Sequence, residues 1–149
     1  MDAQFDRITR LQASLRRRRV DGLLVSQPDN RRYLSGYTAP DHGIQESAGL
    51  LLIPAKGRPF LLTDARFTLQ AEAEAPLFQI EVYTRGLLPL LERLVDRLGL
   101  TSLAFESDYL LYSTFQHLAG MAGKRGLQLA AQSGLIEAMR EVKSADELE

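Results

Sequence analysis

The sequence contains no cysteine and only two histidines in 149 residues. The first absence excludes disulfides and any thiolate metal site, and it fits a reducing compartment. The second leaves His42 and His117 far short of a metal ligand set. No His-Glu-x-x-His pair occurs, and the helical neighbours of His117 include Gly120 and Met121 rather than carboxylates. An excess of one charge is also lacking. With 18 basic and 19 acidic residues the net charge is −1, so the chain as a whole is not built for polyanions. Apolar runs are strand-length, too short to span a membrane. Met1–Asp6 shows no basic segment followed by an apolar one. The expectation is a soluble cytoplasmic domain with neither membrane nor nucleic acid as partner.

Motifs for self-contained catalysis are missing as well. The glycines Gly120, Gly123 and Gly126 fail the Walker pattern, because Leu118 stands where its first glycine belongs and Arg125 follows Lys124. They follow a helix instead of opening one, so no helix N-terminus faces an anion. Ser35-Gly36 lacks the rest of a nucleophile elbow. Glu72 and Glu74, two residues apart, do not share a helix face and read as a solvated edge. The run Arg16–Arg19 complements the negative end of a helix and lacks the interleaved aromatics of a nucleic-acid surface.

What is present is an alternating α/β pattern. Phe5, Ile8, Leu11 and Leu15 recur at helical spacing, ahead of a break at Asp21-Gly22 and a strand at Leu23–Val25. Pro28–Asn30 opens a short helical turn that carries Tyr33 and Leu34 inward and stops at Gly36. Residues 37–47 read as a polar exposed loop. Gly49–Ile53 and Phe60–Leu62 form a hairpin, which makes the sheet mixed. Asp64 caps a helix from Ala65 to about Ala75, ended by Pro76. A strand at Phe78–Val82, a helix through Leu87, Leu91, Leu94 and Leu98, and a strand at Ser102–Phe105 follow. Ser107 or Asp108 is expected to cap a helix burying Leu111, Phe115, Leu118 and Ala122 and fraying into Gly123 and Gly126. A strand at Leu127–Ala130 and a helix around Leu135–Val142 complete one domain, residues 1–143. Ser144–Glu147 is a capping box with too few residues behind it for a helix, and 144–149 read as the start of a linker to further chain.

Four segments together resemble the N-terminal domain of the creatinase, aminopeptidase P and prolidase family, the metallopeptidases with the pita-bread catalytic fold. They are Asp21–Val25 with Asn30-Arg31-Arg32-Tyr33-Leu34-Ser35-Gly36; Leu62–Ala71, with Phe67 where the family has tyrosine; Leu103–Glu106; and Met139–Leu148. The resemblance implies a three-layer α/β/α fold with a mixed sheet, of ribonuclease H-like type. It implies no metal in this chain and a dinuclear manganese, cobalt or zinc site in an absent C-terminal catalytic domain. It further implies a homodimer acting on proline-containing peptides, in which the loop Tyr37–Gln45 reaches the partner's active site. That makes Tyr37, Asp41, His42 and Arg66 the residues expected near substrate in trans. From the residues alone His42 reads as a solvated turn or as a group presented to a ligand. Arg66 reads as needing a carboxylate partner or an interface. A creatinase-like C–N hydrolase accessory domain and a catalytically dead peptide- or histone-binding module are alternatives within the same resemblance.

Overall fold

A computed structural model describes residues 2–142; the Ser144–Glu147 capping box and the expected domain junction lie outside them. Helix α1 (Ala3–Arg17) starts at Asp2, whose carboxylate accepts the Gln4 N–H at 2.8 Å. It buries Ile8, Leu11 and Leu15. The helix ends before Asp21, in a Schellman motif: Val20 N–H donates to Leu15 O and Arg19 N–H to Arg16 O, both at 3.0 Å. Arg19 therefore takes the left-handed position, with φ +59°. Glycine fills that position without strain, whereas a side chain there costs about 1–2 kcal/mol. Asp21 is left free for another task. Its carboxylate accepts N–H and O–H from Thr101, both at 2.8 Å, and N–H from Ser102. These bonds hold it below the ordinary carboxylate range.

The sheet comprises β1 (Gly22–Val25), β2 (Leu50–Pro54), β3 (Phe60–Thr63), β4 (Gln79–Val82), β5 (Ser102–Glu106) and β6 (Gln128–Gln132). Their order is β4-β3-β2-β1-β5-β6. Only β2 runs against the rest, pairing antiparallel to both β1 and β3. The hairpin of β2 and β3 thus gives the mixed sheet expected from the sequence. Strand alternation sends Leu23, Val25, Leu51, Ile53 and Leu61 to one face, against α1, α2 (Pro28–Ser35), α3 (Thr68–Glu74) and α6 (Leu135–Glu141). Leu24, Leu50, Leu52, Leu62 and Leu103 face α4 (Leu87–Leu98) and α5 (Tyr112–Arg125). The central strands β1, β2 and β3 are buried at every position, so they carry apolar residues without alternation. The three-layer α/β/α fold expected from the resemblance is the one observed. Among the described residues no helix is long and apolar enough to cross a membrane.

Four local expectations need correction. Residues 37–47 are not simply an exposed loop: Tyr37 and Ala39 are buried, and the Asp41 side chain is only 4% exposed. The physical reason is a buried cation beneath them, Arg31, described below. The helix expected from Ala65 is split into a 3₁₀ turn (Ala65–Phe67) and α3, because Phe67 sits at φ −111°, ψ 5° outside the helical region. Neither Ser107 nor Asp108 caps α5, which starts at Tyr112 without a side-chain cap. Ser107 instead donates to Gln132 O, Tyr109 N–H returns to Glu106 O, and the Ser26 hydroxyl, just after β1, donates to Tyr109 O. Nor does α5 fray at Gly123; it continues to Arg125 and is capped by left-handed Gly126.

Candidate functional site

All strands but β2 end at the same edge of the sheet, where ligands of open α/β sheets tend to bind. A groove of about 360 Å³ lies there. Its walls are the α2–β2 loop with His42 and Glu46, the turn after β3 with Arg66 and Phe67, Tyr83 after β4, and Tyr109 after β5.

Arg66 is set by its own turn. The Asp64 carboxylate accepts the Arg66 N–H at 2.9 Å, its Nε at 3.0 Å and its Nη2 at 2.8 Å. The cap and the carboxylate partner expected for these residues are therefore one interaction, two positions apart. The Arg66 guanidinium holds the Asp64 carboxyl below the usual carboxylate range. The Arg66 side chain remains 74% exposed, with its guanidinium carbon 5.1 Å from the Phe67 ring centroid. Its outward N–H groups are available to a carboxylate or carbonyl. Tyr83 faces the same groove. Burial pushes its phenol up, and the Asp64 charge adds to that.

His42 stands on a loop built from beneath. Arg31, 1% exposed, donates Nη1 to Asp41 Oδ1 at 3.0 Å and to Gly49 O at 2.7 Å, and Nη2 to Ala39 O at 2.7 Å. Asp41 Oδ1 also accepts the Ala48 N–H at 2.8 Å. One guanidinium thus gathers both ends of the loop. Tyr37 lies under it, donating to Ala48 O at 2.9 Å with its ring 5.4 Å from the guanidinium carbon. Gly49 passes so close that a Cβ there would lie 2.9 Å from Leu62 O. The tip is closed by His42 N–H to Glu46 O at 3.0 Å, leaving the imidazole exposed.

The structure therefore brings His42 and Arg66 to one groove and separates Tyr37 and Asp41 from it. The latter two are buried props of the loop, not groups offered to solvent. Sequence reasoning missed Arg31. A signal existed, since Arg31 lies three residues before buried Leu34 and four before buried Ser35, on their helix face. It also missed Glu106 and Asn30. Glu106 Oε1 accepts N–H from Ser26 at 2.8 Å and Gln27 at 2.9 Å, and Oε2 accepts Asn30 Nδ2 at 2.6 Å. Asn30 also donates to Glu137 and accepts from Arg140, tying α6 to the sheet edge. Among the described residues no three His, Cys, Asp or Glu side chains converge so as to hold a metal ion.

Comparison with known proteins gives matches over nearly the whole chain. The family model of the creatinase/prolidase N-terminal domain matches residues 7–142. The chain is 30% identical over 129 residues to an uncharacterized peptidase, YqhT, of Bacillus subtilis (strain 168), covering 87% of this chain and 34% of that protein. It superposes on the Xaa-Pro dipeptidase from Bacillus anthracis with a TM-score of 0.80 at 29% identity, over 97% of this chain and 38% of that one. It also resembles the N-terminal domain of cytoplasmic peptidase PepQ from Mycobacterium tuberculosis H37Rv, with TM-score 0.77, 29% identity, and 91% and 98% coverage. The chain thus spans about a third of the length of the curated relative it matches.

Proposed function

The chain belongs to the creatinase/prolidase N-terminal domain family, and from that premise we propose that it is the non-catalytic N-terminal domain of a metal-dependent Xaa-Pro dipeptidase or aminopeptidase. In this reading it holds the enzyme's homodimer and limits substrate length at the partner subunit's active site. The observation that carries the reading is the match of nearly this whole chain to a little over a third of an Xaa-Pro dipeptidase. The remainder of such a protein is where we place the catalytic domain, with its manganese, cobalt or zinc. The described residues themselves do not fit a metal. We place the protein in the cytoplasm, which the cysteine-free sequence supports.

The groove gives this role its residues. His42 and Arg66, both exposed at its rim, are the groups that would meet a proline-containing peptide in trans. The guanidinium offers a fork to a peptide carboxylate or carbonyl, and the imidazole a donor or acceptor. Asp41 and Tyr37 serve the same end indirectly, by fixing the height of the loop that carries His42.

The expected result is that this chain alone hydrolyses no Xaa-Pro dipeptide with manganese, cobalt or zinc added. Metal-dependent turnover that stays with the protein through a second purification would overturn the non-catalytic reading.

A further inference from the structure

At the end of the sheet opposite the groove, an open cleft of about 560 Å³ separates the C-terminus of α1, the β2–β3 hairpin and the α4–β5 turn. Its floor is aliphatic: Val20, Pro54, Leu98 and Leu100, with Leu98 36% exposed. Its rim carries Arg16, Arg19 and Lys56. Asp21 on the wall stays ionised while accepting from Thr101 and Ser102, so three cations share the cleft with one anion and the lining is net positive. Arg16 gives Nη1 to Ala55 O and keeps its charge. Among the described residues Arg19 and Lys56 make no ion pair.

The helix dipole explains basic residues in the last turn of α1, yet it does not explain these two. Arg19 lies beyond the helix, and Lys56 lies on another element. Arg19 moreover occupies the left-handed position that glycine fills without strain. A charged side chain is thus held at a conformationally unfavourable point, facing a cleft, with no ion-pair partner among the described residues.

We propose that this cleft is a docking site for an acidic segment of a partner protein, one in which carboxylates flank an aliphatic side chain. The carboxylates would meet Arg19, Lys56 and Arg16, and the aliphatic group would cover Leu98 and Leu100. Charge complementarity selects an anion, and the floor selects which kind. It has no aromatic ring on which a base could stack, so a protein segment fits better than a nucleic acid. The site is separate from the groove and does not depend on the peptidase reading.

The test uses this chain and a fluorescent peptide of alternating glutamate and leucine. Controls are its glutamine counterpart and a single-stranded oligothymidylate, all read by anisotropy at low and high salt. The glutamate peptide is expected to bind, to weaken with salt and to exceed the glutamine peptide by about tenfold. Arg19→Gly should weaken it about threefold to fivefold, the effect of losing one exposed ion pair. The same substitution should leave the thermal midpoint unchanged or raise it, because it relieves the left-handed strain. Lys56→Gln, in the exposed hairpin, gives the same binding readout without touching the helix end. Absence of binding, equal binding of the glutamine peptide, tighter binding of oligothymidylate, or indifference to both substitutions overturns the proposal.

Discussion

Asp41→Ala is expected to lower the stability of this domain by about 3–5 kcal/mol, the cost of removing one partner from a buried ion pair. The substitution leaves the Arg31 guanidinium, 1% exposed, without the carboxylate it pairs with among the described residues. It also removes the acceptor of the Ala48 N–H. For a chain of this size the melting temperature should fall by about 10 °C. His42→Ala, one residue along the same loop, is expected to stay within about 0.5 kcal/mol, because its side chain is exposed and holds nothing together. Thermal denaturation of the two variants side by side separates prop from presented group. A shift of under about 2 °C for Asp41→Ala would show that the loop is not fastened through Arg31.

Glu106→Ala is expected to be similarly severe, at about 3 kcal/mol or more, since each buried donor left without an acceptor costs about 1–3 kcal/mol. The donors are Ser26 N–H, Gln27 N–H and Asn30 Nδ2. Loss of the last also loosens Asn30 from its bridge to α6. The pH dependence has a definite sign. Burial pushes the Glu106 carboxyl above its ordinary value, outweighing the three donors that favour the anion. A folded-state value above the unfolded one gives stability that is full below the unfolded value, near 4.5, and is lost as pH rises through the folded value. The penalty of Glu106→Ala, read by urea denaturation, should therefore be largest in acid and shrink as pH rises through the raised folded-state value. A penalty that grows with pH would mean that the donors outweigh burial. Asp21 and Asp64 behave oppositely: their hydrogen bonds hold them below 3.8, and their contribution fades only as pH falls.

These residues also show what a sequence can and cannot disclose. The strands were legible because β1, β2 and β3 are buried at every position and so are written in uninterrupted aliphatic runs. Helix ends at Gly36 and Gly99 were legible because both take the left-handed conformation that glycine supplies. The end of α1 was misread for the converse reason, since Arg19 takes that conformation without being glycine. The loop was misread because polarity stands in for exposure in a sequence. Asp41 is polar yet buried, and its burial depends on Arg31, ten residues earlier, whose charge masked the signal in its helical spacing to Leu34. Glu106 escaped notice likewise, because its donors lie some 80 residues away in sequence. His42 and Arg66 were singled out through family resemblance, and only folding puts them on one groove.

In the function proposed above, this domain would lend the groove rim to an active site carried by another subunit. Two defective forms of the proposed full-length peptidase test this role. One carries His42→Ala and Arg66→Ala, and the other has an intact N-terminal domain and a disabled metal site in its catalytic domain. Each should cleave Xaa-Pro dipeptides poorly alone. After the two are unfolded and refolded together, Xaa-Pro cleavage should reappear. The mixed dimer then pairs an intact rim on one subunit with an intact metal site on the other. Activity no higher than the sum of the separate forms, in a sample shown to contain mixed dimers, would contradict the account.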